Sequence, residues 1–364
     1  MSRTQLLFVA EHLRGRVPGG IGTYARGLLQ GLAALGPDGP DVTLWASRGD
    51  PPAGLAGPAV TSPLPGKALV WGWDRGWFPP PKGFEAVHAP SLAAPPAGDT
   101  PLAVTVHDLA WRRFPETFPA RGRRWHEAAL GRAVGRAAAL VTPSQQTADD
   151  LLAAGAPAER VEVVEEGVDH LPVPDHAGAT RLLARLGVRD GYLLTASTLE
   201  PRKNLARLVA AYAAARPRLP EPWPLVVAGP AGWGPSLAPG EGVLLAGNLD
   251  LGVLTGLYSR ARVVASVPLF EGFGLPAVEA MACGAPVLAS RQPSIGAAAY
   301  VVDPLDADAI ATGLARLATD EALRSDLVAA GHARAAELTW ANAAARHAEI
   351  WSSLRRPSGR HVQP

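Results

Sequence analysis

The sequence predicts an α/β protein of two parallel-sheet domains, and three observations carry that expectation. Its 364 residues, 48% of them hydrophobic, exceed what one core usually organises; they suffice for two domains of about 150 to 180 residues. Short apolar runs bounded by turn residues alternate with longer alanine- and leucine-rich segments of helical period, and the alternation occurs twice. Between the two series lies 170–179, whose Pro172, Pro174 and Gly178 suit a linker better than a packed element.

In the first series the pattern predicts strands at 6–10, 42–46, 86–88, 102–106, 140–142 and 161–164, with helices at 24–35, 123–137 and 145–154. In the second it predicts strands at 192–196, 225–228, 243–246, 263–266, 286–289 and 299–302. The helices there fall at 205–215, 252–259, 277–282, 307–319 and 321–338. Residues 51–81, rich in Pro, Gly and Trp, read as an irregular excursion, and the tail from Pro357 as frayed. The expected division is 1–172, 173–338 and a terminal segment 339–364. Ligands of open α/β sheets bind at the carboxyl ends of the strands, so a central cleft faced by both sheets is the expected site.

Composition narrows the function. The 34 basic and 33 acidic side chains give no global field of the kind that draws a protein to nucleic acid. The run 5–10 is cut short by Glu11, His12 and Arg14, so it reads as neither signal peptide nor anchor. A lone Cys283 forms no internal disulfide, which places the chain in the cytoplasm. Seven arginines (112, 113, 121, 123, 124, 132, 136) stand against Glu116 and Glu127 between Arg112 and Arg136. They read either as a solvated face, the preferred reading, or as a peripheral patch for anionic lipid at the inner membrane face or for an anionic acceptor. Lysine is scarce: Lys67, Lys82 and Lys203 are the only three, so one inside a motif is less readily filler.

The sharpest chemical signal is Phe270-Glu-Gly-Phe-Gly-Leu-Pro-Ala-Val-Glu279-Ala-Met-Ala-Cys-Gly-Ala-Pro-Val. A strand runs into a loop with Gly272 and Gly274, then into a helix whose first turn tolerates Pro276. Glycines let a phosphate approach backbone N–H groups, and the helix dipole favours an anion there. Glu271 in the loop suits sugar hydroxyls, while Glu279, one turn or so into the helix, suits a ribose. Taken singly, each carboxylate is equally an ordinary turn or helix-surface residue. A second constellation, Ser197-Thr-Leu-Glu-Pro-Arg-Lys-Asn204, follows a strand; its cations suit a diphosphate leaving group, or they decorate a surface turn with Asn204 as helix cap. In the first half, Pro18-Gly-Gly-Ile-Gly-Thr-Tyr24 precedes a helix, and Val104-Thr-Val-His-Asp108 ends a strand, the end that points to a ligand site. Asp108 either orients His107 or caps the next turn.

The paired glutamates, with seven residues between them in this context, resemble the donor-site signature of glycosyltransferase family 4. The Glu-Pro-Arg-Lys element, the glycine segment and the histidine strand end resemble the family too, so the resemblance covers nearly the whole chain. It implies a GT-B fold of two Rossmann-like domains and a retaining, metal-independent hexosyltransferase that needs no cofactor. Its substrate would be a nucleotide diphosphate sugar, with a lean to GDP-mannose, and its acceptor a glycan, a lipid or a small molecule. His107, Lys203 and Glu271 are implied as catalytic; Gly20, Gly22, Arg202, Lys203, Glu271, Gly272, Phe273, Gly274, Leu275 and Glu279 as donor-binding. Two departures stand out: Glu165-Glu166 where the family has a neutral pair, and a shortened stretch 290–298 lacking the family's Pro-Glu element. The rival readings are an NADP-dependent oxidoreductase, a sugar-nucleotide epimerase of the same fold, and a non-catalytic binding protein. Gly20-Ile-Gly22-Thr-Tyr-Ala25 with Arg48 fits the oxidoreductase fingerprint, but 11–19 intervenes after the first strand where that fold places its glycines at once.

Overall fold

A computed structural model describes residues 3–15, 19–50, 55 and 57–354. Pro18 and the tail from Pro357 lie outside the described residues. In chain order the first elements are β1 (Gln5–Val9), α1 (Gly19–Ala34), β2 (Asp41–Ala46), β3 (Ala59–Thr61), α2 (Gly66–Trp73), β4 (Ala86–Ala89) and β5 (Leu102–Thr105). There follow α3 (Ala110–Arg113), α4 (Ala120–Arg136), β6 (Ala139–Thr142), α5 (Gln145–Ala153), β7 (Val161–Val163) and α6 (His176–Arg185). The remainder are β8 (Leu193–Ala196), α7 (Leu205–Ala215), β9 (Leu225–Ala228), β10 (Val243–Gly247), α8 (Leu251–Tyr258), β11 (Val263–Ser266) and α9 (Leu275–Ala282). Last come β12 (Val287–Ala289), β13 (Tyr300–Val301), α10 (Ala307–Thr319), α11 (Glu321–Glu337) and α12 (Trp340–Leu354).

Two compact units result. The second holds Ala110–Pro119 and Val168–Thr339, and the first holds the other described residues, α12 included. The chain therefore passes from the first unit to the second at Gly167/Val168, ahead of the expected 172/173.

In the first unit a seven-stranded sheet has the order β3-β2-β1-β4-β5-β6-β7, parallel throughout. β1 is an interior strand of it, and Leu6, Leu7 and Phe8 are fully buried, as an apolar run covered on both faces must be. The order in which strands are added reverses between β1 and β4, the switch point where the connections leave to opposite sides and make room for ligands. The six-stranded sheet of the second unit, β10-β9-β8-β11-β12-β13, has its switch between β8 and β11. One apolar cluster joins that sheet to α6, α8 and α9, another to α7 and α10, so both faces are covered.

Three expectations need correction. The segment expected as linker, 170–179, runs into α6: Asp175 caps it by accepting from Gly178 N–H at 2.8 Å, and Ala179 is fully buried. A proline before a capped first turn starts a helix as readily as it marks a linker. Residues 51–81 contain β3 and α2, whose Leu69 and Trp73 are buried, so its tryptophans are partly core. And α1 begins at Gly19, not at residue 24, which makes Gly20 and Gly22 the first turn of a helix rather than a loop.

Within the first unit α12 lies on α1 at very short range. A Cβ on Gly27 would fall 2.0 Å from the Trp340 ring, and one on Gly31 would fall 2.2 Å from the Trp340 carbonyl oxygen. Beneath this contact runs a buried polar chain. His347 Nδ1 donates to Ala343 O at 2.7 Å, and burial holds its pKa down at about 4, so its Nε2 is a bare acceptor. Tyr24 Oη must then donate to that Nε2 (2.9 Å) and accept from Thr105 Oγ1 (2.8 Å), which in turn accepts from His88 Nε2 (3.2 Å). The chain ties α12, α1, β5 and β4 together with one fixed proton order.

Because backbone cannot move as a side-chain tip can, Gly31→Ala should lower stability by about 1–3 kcal/mol, the usual cost of overpacking. Gly20→Ala, where a Cβ meets nothing within 4 Å, should be near neutral. Thermal denaturation of both variants checks this.

Candidate active site

At the carboxyl end of β8 the chain turns through Pro201–Lys203 and enters α7 after Asn204. Asn204 sits at φ 60°, a left-handed conformation that asparagine tolerates better than most residues. Its side chain does not cap the helix; Nδ2 donates to Val267 O (3.0 Å) and Pro304 O (2.7 Å), stitching this turn to the loop after β11. Leu269 N–H adds a bond to Arg202 O at 2.9 Å. The two strand-end loops flanking the switch point thus form one piece.

That piece brings together the cations and the carboxylate expected from sequence. Arg202 Nη1 donates to Phe270 O (2.7 Å) and Glu271 Oε2 (3.0 Å), and Nη2 to Glu200 Oε1 (3.0 Å). Lys203 Nζ pairs with Glu271 Oε1. All four charged side chains are largely buried, between 4% and 14% exposed, where an unpaired charge would not persist. Burial alone would raise the Glu271 pKa, but Lys203 and Arg202 outweigh it and bring it to about 2. Glu200, paired with Arg202 alone, goes the other way: burial raises its pKa more than Arg202 and Lys203 lower it, and the Glu271 charge adds to the rise. Sequence reasoning passed over Glu200, although it sits inside the quoted motif.

The loop after β11 ends at Gly274, the N-cap of α9, at φ 106°. A Cβ there would meet Gln292 Oε1 at 2.4 Å, so this position takes glycine for both conformation and space. Gln292 Nε2 donates to Ser266 O (2.9 Å), Ser294 Oγ to Gly274 O (3.1 Å) and Ser290 Oγ to Pro268 O (2.7 Å). The shortened stretch 290–298 therefore braces the loop that carries Gly272, Phe273 and Gly274. In α9, Leu275 opens the helix and Glu279 lies on its second turn, 8% exposed. Glu279 Oε1 lies 3.2 Å from His170 Nε2, a partner that sequence reasoning did not anticipate.

His107 belongs to the first unit, just past the end of β5. Its Nδ1 is 3.2 Å from Glu166 Oε1 and its Nε2 is 2.9 Å from Pro90 O. Both neighbours accept, so the two contacts are satisfied together when both ring nitrogens carry protons, which favours the imidazolium form. Burial pulls its pKa down, but the hydrogen bond and charge of Glu166, helped by Pro90 O and Asp108, leave it raised above 6.5. The edge of the ring packs against Tyr24, with centroids 4.7 Å apart. The orienting carboxylate is thus Glu166, buried at 4%, one of the two acids already marked as a departure from the family pattern. Gly20 stands exposed in the first turn of α1, and Gly22 is buried.

The run of seven arginines is divided between the two units. Arg112 and Arg113 lie on α3 in the second unit, where Arg113 stands over the Phe270 ring at 5.0 Å; the other five are on α4 in the first. Among the described residues there is no group of His, Cys, Asp and Glu that could hold a metal ion, and no helix long and apolar enough to cross a membrane.

Two doubly wound parallel sheets with charged loops at their strand ends are the architecture of the GT-B fold, and comparison with known proteins agrees. Residues 18–170 match Glycosyltransferase Family 4, and residues 185–334 match Glycosyl transferases group 1. The D-inositol 3-phosphate glycosyltransferase of Xylanimonas cellulosilytica is 32% identical over 71% of this chain and 68% of its own. O-antigen chain mannosyltransferase B of Escherichia coli is 30% identical over 65% of this chain, and the MMP alpha-(1->4)-mannosyltransferase of Mycolicibacterium hassiacum 28% identical over 92%. The match spans 66% of the first of these, 94% of the second, and only 28% of a serotype-specific mannosyltransferase of Escherichia coli. Sucrose-phosphate synthase from Thermosynechococcus elongatus superposes with a TM-score of 0.72 over 97% of this chain and 99% of its own at 21% identity. Anabaena HepE, in complex with UDP and glucose, does so at 0.71 over 96% and 100% at 19% identity, which shows the shared GT-B fold. The chain belongs to glycosyltransferase family 4.

Glu166→Gln should lower the His107 pKa, seen directly by NMR titration of that ring. Because the folded-state pKa is raised, its stabilising contribution is present below pH 6.5 and is lost as pH rises through the folded value. The decline in thermal stability of the wild type across that window should therefore flatten in Glu166→Gln.

Proposed function

We propose that this protein transfers a hexose, with retention and without a metal, from a nucleotide diphosphate sugar to a glycan, lipid or small-molecule acceptor. Mannose from GDP-mannose is the favoured donor. The observation that carries the reading is the buried Glu271 held between Arg202 and Lys203 at the carboxyl ends of β8 and β11. The mannosyltransferases among its relatives support the choice of sugar.

In this reading the diphosphate lies against Arg202, Lys203 and the backbone at Gly274, where the α9 N-terminus favours an anion. Glu271 accepts hydrogen bonds from the transferred sugar, and Glu279 from the ribose. As the bond between the anomeric carbon and the β-phosphate oxygen breaks, charge grows on the phosphate, and two fixed cations stabilise that charge more than the ground state. The acceptor oxygen bonds the anomeric carbon and its proton passes to the departing phosphate, which balances the step without a separate base. His107, when protonated, adds a further positive charge at a strand end of the first unit.

Thermal stabilisation by GDP, UDP, dTDP, ADP and NADP tests the donor. A ligand at 100 times its dissociation constant adds about 2.7 kcal/mol, so one nucleotide diphosphate should raise the midpoint clearly and Glu279→Ala should lose the rise. Lys203→Ala should cut turnover by about a hundredfold or more while a chelator leaves the wild type unchanged. A response to NADP alone, or activity that a chelator abolishes and Lys203→Ala spares, overturns the proposal.

A further inference from the structure

We propose that the first unit docks on a bilayer containing anionic lipid through the aromatic tip at the end of α2 and the arginines of α4. This surface is remote in sequence from the donor-site residues, and the inference does not rest on the donor chemistry.

Three of the large hydrophobic side chains that stand exposed fall within eight positions: Trp71 at 49%, Trp77 at 51% and Phe78 at 40%. They are not independent loose rings. Trp71 and Trp77 meet edge to face with centroids 5.3 Å apart, and Trp77 and Phe78 do so at 6.4 Å. Phe78 lies on Gly72 so closely that a Cβ there would come within 2.4 Å of its ring. A contiguous apolar patch held toward water in this way is the usual mark of a docking surface rather than of random exposure.

The charges around the tip say which partner fits. Arg75 stands 3.6 Å over the Trp71 ring. Asp74, at the end of α2, accepts from Trp125 Nε1 at 3.1 Å and pairs with Arg132, which clamps the tip onto α4 and neutralises that acid. A Cβ on Gly76 would lie 3.6 Å from Arg136 Nη1, so a second guanidinium flanks the aromatics. Farther along α4, Arg123 and Arg124 are exposed, and Glu127 is the only acid in that helix. Indole and phenyl rings gain by entering the headgroup layer, where the indole N–H keeps polar partners, while guanidinium groups meet lipid phosphates. A hydrophobic protein partner would suit the rings but not the cations; a soluble anion would suit the cations but not the rings.

The test uses the full chain sedimented with phosphatidylcholine vesicles, with and without phosphatidylglycerol. The expected result is co-sedimentation with the anionic vesicles alone. It should weaken by about tenfold in Trp71→Ser/Trp77→Ser and by a similar factor in Arg123→Glu/Arg124→Glu. An unchanged denaturation midpoint and nucleotide response in each variant separates loss of docking from loss of fold or donor site. No binding to anionic vesicles, equal binding by the variants, or a self-association abolished by the tryptophan changes without vesicle binding would overturn the proposal, the last assigning the patch to a second copy.

Discussion

A carboxylate taken out of water has to be answered by positive charge, and in the second unit that requirement organises the whole switch-point end of the sheet. Glu271 is 12% exposed and ionised, and Arg202 and Lys203 are the cations that make that possible. Those cations come from the loop after β8, while Glu271 comes from the loop after β11, so their pairing fixes two separate chain segments against each other. The neutral bonds from Asn204 to Val267 O and from Leu269 to Arg202 O run between the same two segments. Electrostatic and backbone bonding therefore select one arrangement, and neither loop is free to choose its shape alone.

The first unit solves a similar problem with other parts. His107 follows β5, Glu166 lies just before the chain leaves the unit, and each compensates the charge of the other where water is scarce. The neighbouring chain from His88 to His347 takes the opposite course, staying neutral throughout and satisfying its members by an ordered sequence of donors and acceptors. Tyr24 joins the two systems, since its hydroxyl belongs to the neutral chain and its ring meets the His107 edge. A second proton on His347 would leave Tyr24 facing a donor where it needs an acceptor, and burial keeps that ring neutral by outweighing the hydrogen bond to Ala343 O, which acts the other way.

Much of this was legible in the sequence because strands covered on both faces write themselves as uninterrupted apolar runs. The four residues of β9 and the four of β11 could be placed to the residue for that reason. The motif residues were legible because chemistry demands glycine, proline and charge at fixed offsets around a strand end. What stayed hidden depends on tertiary partners. Nothing local marks Glu166 as the partner of His107, 59 residues away, or His170 as that of Glu279, 109 residues away. The unusual acid at 166 was visible as an oddity, yet only the fold shows what it faces. Residues 51–81 misled for a related reason: proline and glycine density is a good signal for turns, but α2 needs only eight residues between them.

The resting pairings of the candidate site also constrain how a ligand could be received. Glu271 holds both cations and Glu279 is engaged by His170, so each carboxylate expected to take sugar hydroxyls already has a cationic or polar partner. An arriving diphosphate would compete with Glu271 for Lys203 and Arg202, and the competition is between anions of like sign in a low-dielectric pocket. Such an exchange costs little because one anionic partner replaces or shares with another, whereas two cations left facing each other without any anion would repel strongly. Glu271 thereby keeps Arg202 and Lys203 together and desolvated in advance, and the same carboxylate, relieved of part of its pairing, becomes a stronger acceptor for hydroxyl groups. A neutral residue at 271 would remove both effects at once, so in the proposed reading the charge at this position matters to the cations as much as to the sugar.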